Sequence, residues 1–485
     1  MSIERKAISA LKWATGAKLV VQVASWAGTL VVVRLLAPEA YGLMAKVGVV
    51  CTVAGAIADL GLEAAIVRSS ELVRDDVRKL FSLSLLFGVG MTALVVALSP
   101  LLARVFHEPR LTWPIAAASL QFVIGAIAVV PSALWARDLS FRNLAKVEVV
   151  SGISTTIATL LLAMSGADVW ALVLGTLFGA LVRSSTLLAL GEREWPLLSF
   201  RGVAEHLKFG LTVASGRVSY FILVQSDVLI GSAFLSTTEI GQYSMALQLA
   251  TLPMAKIMGT INQITLPAMA RQQNDPSRVR HSVLKSVGLM SLVAFPALCG
   301  ISAVAPELVR VLFGTRWLQA IPALMILPLI VPIRMICGVL FTTSLALGNR
   351  TLDLRNTVVN FVLLPTGFFI GAHWGLVGLC SAWLVSVPVA YACNVPALLR
   401  FIHLSARDLA AECAPPMLAS AVMYGAVFGL RTGLVGQSPI VALNALIVGG
   451  AVVYCAVMAL ISPRHLASIL GFARSMVARG TPETA

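Results

Sequence analysis

LFSLSLLFGVGMTALVVALS, residues 80–99, is a run of about twenty residues with no charge and none of the apolar–polar alternation of a half-buried strand. In lipid every backbone N–H and C=O must be bonded inside the structure, which leaves only helices and closed barrels. A barrel strand is about ten alternating residues, so this stretch is a membrane-spanning helix. Working outward, similar runs fall at about 14–34, 42–62, 111–132, 146–165 and 169–190. A polar connection follows, and further runs fall at about 209–232, 242–266, 284–304, 318–345, 356–372, 375–397, 411–430 and 438–461. The expected fold class is therefore an all-α polytopic membrane protein with about 14 spans.

Composition agrees. Apolar residues make up 58% of the 485 and charged residues 12%, against roughly 25% charged in soluble domains; mean hydropathy is +0.90. The spans use up the chain and leave no room for a separate catalytic or nucleotide-binding domain. The net charge of +14 would suggest nucleic acid in a soluble protein. Here it lies mostly in connections such as RSSELVRDDVRK (68–79), ARDLSFRNLAK (136–146) and RQQNDPSRVRHSVLK (271–285), as expected of cytoplasmic loops, so no nucleic-acid partner is expected. The connections 166–168 and 371–374 carry no lysine or arginine. This asymmetry places both termini in the cytoplasm. The basic start, MSIERKAISALKW, lacks a cleavage pattern and reads as part of a retained anchor. Trp113, Trp170, Trp317 and Trp374 fall at outer span starts, where indoles mark the interface.

Cysteines 51, 299, 337, 380, 393, 413 and 455 stand singly and read as small hydrophobes. No phosphate loop, HExxH or GxSxG occurs, and the histidines are not spaced as ligands. No catalytic residue, metal or cofactor is therefore expected.

The chain contains a weak internal repeat. LAPEAYG (36–42) matches LSTTEIG (235–241), SPLLARVF from Ser99 matches APELVRVLF from Ala305, LSFRN from Leu139 matches LDLRN from Leu352, and GADVWALVLG from Gly166 matches GAHWGLVG from Gly371. Four matches in the same order predict an N-terminal six-helix lobe at 1–195 and a C-terminal six-helix lobe at 196–400. An even number of spans per repeat gives a pseudo-two-fold axis along the membrane normal, with a solute cleft between lobes. Residues 401–485 add two helices and a tail. The GxxxG pairs Gly175/Gly179, Gly371/Gly375 and Gly425/Gly429 predict close helix contacts.

Ionisable side chains inside the membrane are costly and point to function. Lys18, Lys46, Arg217, Asp227, Lys256 and Arg334 lie within spans, with Asp59 and Glu63 at the inner end of span two. Snorkelling suits Lys46, and in part Lys18 and Arg217. Lys256 and Arg334 lie about 15 Å from either surface, too deep for it. Lys18 and Arg217 share the repeat offset of 199 residues, so they are equivalent sites of the two lobes. Lys18, Lys46, Arg217, Lys256 and Arg334 are the candidate cavity cations, suited to an anionic solute. Asp227 is either their neutraliser or an ion-coupling site. Pro253, three residues before Lys256, predicts a bend in span eight.

RLLAPEAYGLMA (34–45), DLGLEAAIVR (59–68), VWALVLG (169–175), SDVLIGSAFLSTTEIGQYSMALQLATLP (226–253) and GLVGLCSAWL (375–384) resemble the polysaccharide-transport flippases. These are Wzx-type members of the multidrug/oligosaccharidyl-lipid/polysaccharide exporter superfamily. The resemblance covers most of residues 10–400. It implies two six-helix lobes with two extra helices, moving undecaprenyl-pyrophosphate-linked oligosaccharide from the inner to the outer leaflet of the bacterial inner membrane by alternating access. Polysaccharide polymerase and chain-length proteins are the partners it implies. A cation-coupled multidrug exporter of the related branch and a lipid II flippase remain alternatives. A membrane glycosyltransferase or polymerase should show paired carboxylates or a long catalytic outer loop, and the outer connections here are all short, about 15 residues or fewer.

Overall fold

The computed structural model describes residues 28–68, 74–138, 140–191, 196–199, 204–271 and 275–463. Their regular structure is helical, with no strand among the described residues. The chain divides by its contacts into two compact units, Met1–Gly241 and Gln242–Ala485.

In the first unit, α1 (28–35) leads into α2 (Pro38–Ala58), whose first turn carries Pro38 and Glu39, both suited to a helix start. The backbone turns at Leu60 and Gly61, with φ of +46° and +61°, before α3 (Leu62–Arg68). Gly61 is required here. A side chain would be strained at that φ and would press on the Gly210 carbonyl. Then come α4 (Arg74–Val105), a 3-10 turn (Pro109–Leu111), α5 (Thr112–Ala118), α6 (Leu120–Arg137), α7 (Phe141–Met164) and α8 (Val169–Leu190). The unit closes with α9 (Ala204–Val224), α10 (Ser226–Phe234) and the first turn of α11 (Thr237–Arg271). Leu62, Ile66, Leu80 and Ala133 centre an apolar cluster that ties α3 to α4 and α6. The α7–α8 contact is set by Gly175 and Gly179, against which Thr159 and Thr155 lie so closely that a methyl group would overlap their hydroxyls.

The second unit holds the remainder of α11, then α12 (Pro276–Ala303), α13 (Ala305–Leu308), α14 (Ile321–Ala346), α15 (Arg350–Ala372), α16 (Gly375–Phe401), α17 (Ala406–Gly433) and α18 (Pro439–Ile461). Side-chain caps start four of these helices: Asp275 for α12, Asn349 for α15, Ser405 for α17 and Ser438 for α18. Leu292, Met423, Leu446, Tyr454 and Met458 form a core in which α17 packs on α12 and α18 on α17. The Tyr454 hydroxyl donates to the Leu292 carbonyl at 2.9 Å.

Eleven helices among the described residues are long and apolar enough to span a membrane, or twelve if α9 and α10, bent by 41°, are one span. Their bounds follow the expected runs to within a few residues, as at Val169–Leu190 and Gly375–Phe401. Of the fourteen expected spans, 14–34 falls largely outside the described residues, and 242–266 reaches into side chains outside them. Two expectations change. Trp113 and Trp374 are exposed as belt residues should be, but Trp317 is fully buried, because the 3-10 turn Thr315–Ala320 folds inward and sets its ring edge-on to Phe313. Gly425 and Gly429 meet no neighbouring atoms, so they are not a packing pair.

Candidate functional site

Among the described residues, Lys46, Asp59, Arg217, Asp227 and Arg334 each have a partner; α2 carries Lys46 in its N-terminal half and Asp59 at its C-cap. Lys46 is 2% exposed and donates from Nζ to Thr237 Oγ1 at 3.0 Å. Thr237 donates to Glu108 Oε2 at 3.0 Å. Arg110 grips both oxygens of Glu108, Nε at 2.8 Å and Nη2 at 3.0 Å, and reaches Glu39 at 2.6 Å. The hydrogen bonds from Arg110, aided by Thr237 and the Lys46 charge, hold the Glu108 carboxyl below the usual glutamate range. Beneath this chain Gly42 lies against the Thr237 carbonyl and Gly241 against the Pro38 carbonyl, each too close for a Cβ.

At the other end of α2, Asp59 accepts from Arg217 of α9 as an ion pair. Asp59 sits at the C-cap of α2, where the helix dipole is negative, so a cation there is doubly favoured. Thirteen residues of helix, about 20 Å, separate Lys46 from Asp59, and the structure does not bring Lys46 and Arg217 together. Asp59 also lines a cavity of about 290 Å³ within this unit, with Glu63, Arg183, Gln121, Ser84 and Cys51. Asp227 is 1% exposed in the first turn of α10, just past the bend, and accepts from the Val228 N–H at 2.7 Å. A carboxylate at a helix N-terminus is stabilised by the dipole.

In the second unit, Arg334 of α14 lies half-buried with its guanidinium carbon 4.4 Å from the centroid of the Trp383 ring. Trp383 is fixed by donating from Nε1 to the Tyr243 hydroxyl at 2.8 Å and by packing against Phe368. A guanidinium over an aromatic face is attracted by the ring's quadrupole. Lys18 and the Lys256 side chain lie outside the described residues.

Sequence reasoning did not foresee Glu108, Arg110, Thr237 or Glu39. The signal was present, since Glu39 and Thr237 belong to the matched LAPEAYG and LSTTEIG segments.

A family model described as polysaccharide biosynthesis protein matches residues 31–322. The chain is 24% identical to the lipopolysaccharide biosynthesis protein WzxC of Escherichia coli K12, over 79% of each chain. It is also 24% identical to the succinoglycan biosynthesis transport protein ExoT of Rhizobium meliloti, over 93% of this chain and 92% of the other. Among solved structures, the lipid II flippase MurJ in an inward closed conformation superposes with a TM-score of 0.74 at 14% identity, covering 92% of this chain and 98% of that one. That likeness shows the fold.

Proposed function

Because the chain belongs to the polysaccharide biosynthesis protein family, we propose that it is a flippase for oligosaccharide linked to undecaprenyl pyrophosphate, carrying the repeat unit of a surface polysaccharide from the inner to the outer leaflet of the bacterial inner membrane. The observation that carries this reading is the similarity to a succinoglycan transport protein over nearly the whole of both chains. The charges within the spans support it. Arg217 and Arg334 put guanidinium groups at membrane depth, and guanidinium is the side chain best matched to the oxygens of a phosphate. Lys18 and Lys256 would add to this positive field, and Lys46 to its outer end. Such a field favours a lipid pyrophosphate over an organic cation.

The work is conformational and needs no covalent step. Alternating access exposes a site to one side and then the other, and the ion pair of Arg217 with Asp59 is suited to close the side on which it lies. The lysine and arginine asymmetry makes that side cytoplasmic, with both termini inside. Asp227 is the candidate for ion coupling. The halves 1–195 and 196–400, with the added segment 401–485, belong to the same proposal, as do a polysaccharide polymerase and chain-length proteins as partners.

Deletion of the gene, with analysis of lipid-linked glycans and of the surface polymer, tests the reading. Loss of one polymer with accumulation of its lipid-linked repeat unit is expected. Unchanged polymers and unchanged lipid-linked pools would refute it.

A further inference from the structure

Lys46 is an intramembrane cation whose bonded partner, Thr237, lies on another helix 191 residues away. The contact it spans has an unusual form. Pro38 and Thr237 are separated by 199 residues, and so are Gly42 and Gly241. Gly42 lies against the carbonyl of Thr237, and Gly241 against the carbonyl of Pro38. The crossing is therefore reciprocal: each helix start presents the same two positions to the other, as in a contact on a two-fold axis.

We propose that the Lys46–Thr237–Glu108 chain, closed over the reciprocal Gly42/Gly241 crossing, is a latch that seals the extracytoplasmic end of the transport path and breaks each time the path opens to that side. This rests on the flippase reading and on the orientation given with it.

Three features make the contact separable. The helix starts meet where Gly42 and Gly241 each lie against a backbone carbonyl of the other, with only the Thr237 methyl added at Gly42. Thr237 accepts one hydrogen bond from Lys46 and donates one to Glu108, so only two hydrogen bonds of this chain tie its helix to the other two elements. Parting strands no charge either. Glu108 keeps both bonds to Arg110, which in turn keeps Glu39 on α2. Lys46 is meanwhile exposed to water entering from that end.

The test uses the full chain in spheroplasts, with the seven cysteines replaced, export confirmed, and Val53→Cys added as reporter. Val53 lies on the Lys46 face of α2, about 10 Å further in, and is half-buried. A membrane-impermeant maleimide added outside should label it slowly. Lys46→Met removes the bond from Lys46 to Thr237, and Thr237→Val removes that bond together with the one from Thr237 to Glu108. Lys46→Met should raise the labelling rate roughly tenfold, the population shift expected from losing one charge-assisted hydrogen bond, and Thr237→Val by at least as much. Glu108→Gln weakens the same chain from a third element and should raise it less. Unchanged labelling in all three at normal protein level overturns the latch, and so does loss of folded protein in all three, which would make the network structural. Raised labelling in a protein whose deletion leaves lipid-linked glycans untouched would retain the latch and remove the flippase reading.

Discussion

Arg217 and Asp59 form an ion pair that fastens α9 to the C-terminal end of α2, and the Arg217 side chain keeps 43% of its surface exposed while Asp59 keeps 24%. A pair so open to solvent adds little to stability. Asp59→Asn should lower the unfolding free energy in detergent by about 1 kcal/mol or less. Arg217→Ala should cost equally little in stability and yet abolish export. Export at normal rate by Arg217→Ala would show that the guanidinium serves only to bind Asp59.

Arg334 lies over the ring of Trp383, whose nitrogen is tied to Tyr243. Trp383→Phe removes that hydrogen bond and weakens the attraction of the cation to the ring, and should cost about 1–2 kcal/mol in thermal unfolding. Arg334→Ala should abolish export without loss of membrane insertion, because removing an intramembrane cation lowers the insertion cost. Arg334→Lys separates charge from geometry. Partial export means that charge suffices, and none means that the planar fork is required.

Glu108 gives a pH signature. Its folded-state pKa lies below the ordinary glutamate value of 4.5, so in acid the unfolded chain takes up a proton that the folded chain resists. The stability it contributes is complete above that ordinary value and is lost as pH falls through the lower folded value. Thermal unfolding of the parent and of Glu108→Gln from neutral to acid pH should show a constant gap at neutral pH that closes in acid. A gap that widens in acid would contradict the assignment.

The two glycine pairs should behave differently. Gly179→Val drives a side chain into Thr155 and should cost about 1–3 kcal/mol. Gly425→Val enters open space and should change stability by less than about 0.5 kcal/mol. Equal losses at both sites, measured by thermal unfolding in one detergent, would contradict the packing described.

The spans were legible because lipid imposes their length and polarity residue by residue, as at 80–99 and 169–190. The bends were not. Leu60 adopts a positive φ without being glycine, and the 41° turn after Val224 carries no proline or glycine to announce it. Both are set by tertiary packing. Of the site, the sequence marks which charges lie in the membrane, since each stands out against apolar neighbours. Their partners are harder to see. Thr237 for Lys46, Asp59 for Arg217 and Trp383 for Arg334 are contacts between distant segments. Only the Lys46 contact left a trace, through the matched helix starts at Pro38 and Thr237. Trp317 shows the converse, since position in a span suggested an interface and packing placed the ring in the core.

Translocation of a lipid-linked oligosaccharide is read from the leaflet in which the molecule lies. In a deletion strain that still makes the repeat unit, lipid-linked oligosaccharide is probed on intact spheroplasts with an impermeant glycan-modifying enzyme. Protection is expected in the deletion strain, accessibility when the parent chain is restored, and continued protection with an Arg217→Ala, Arg334→Ala double variant at normal protein level. Equal accessibility with and without the chain would contradict translocation by this protein.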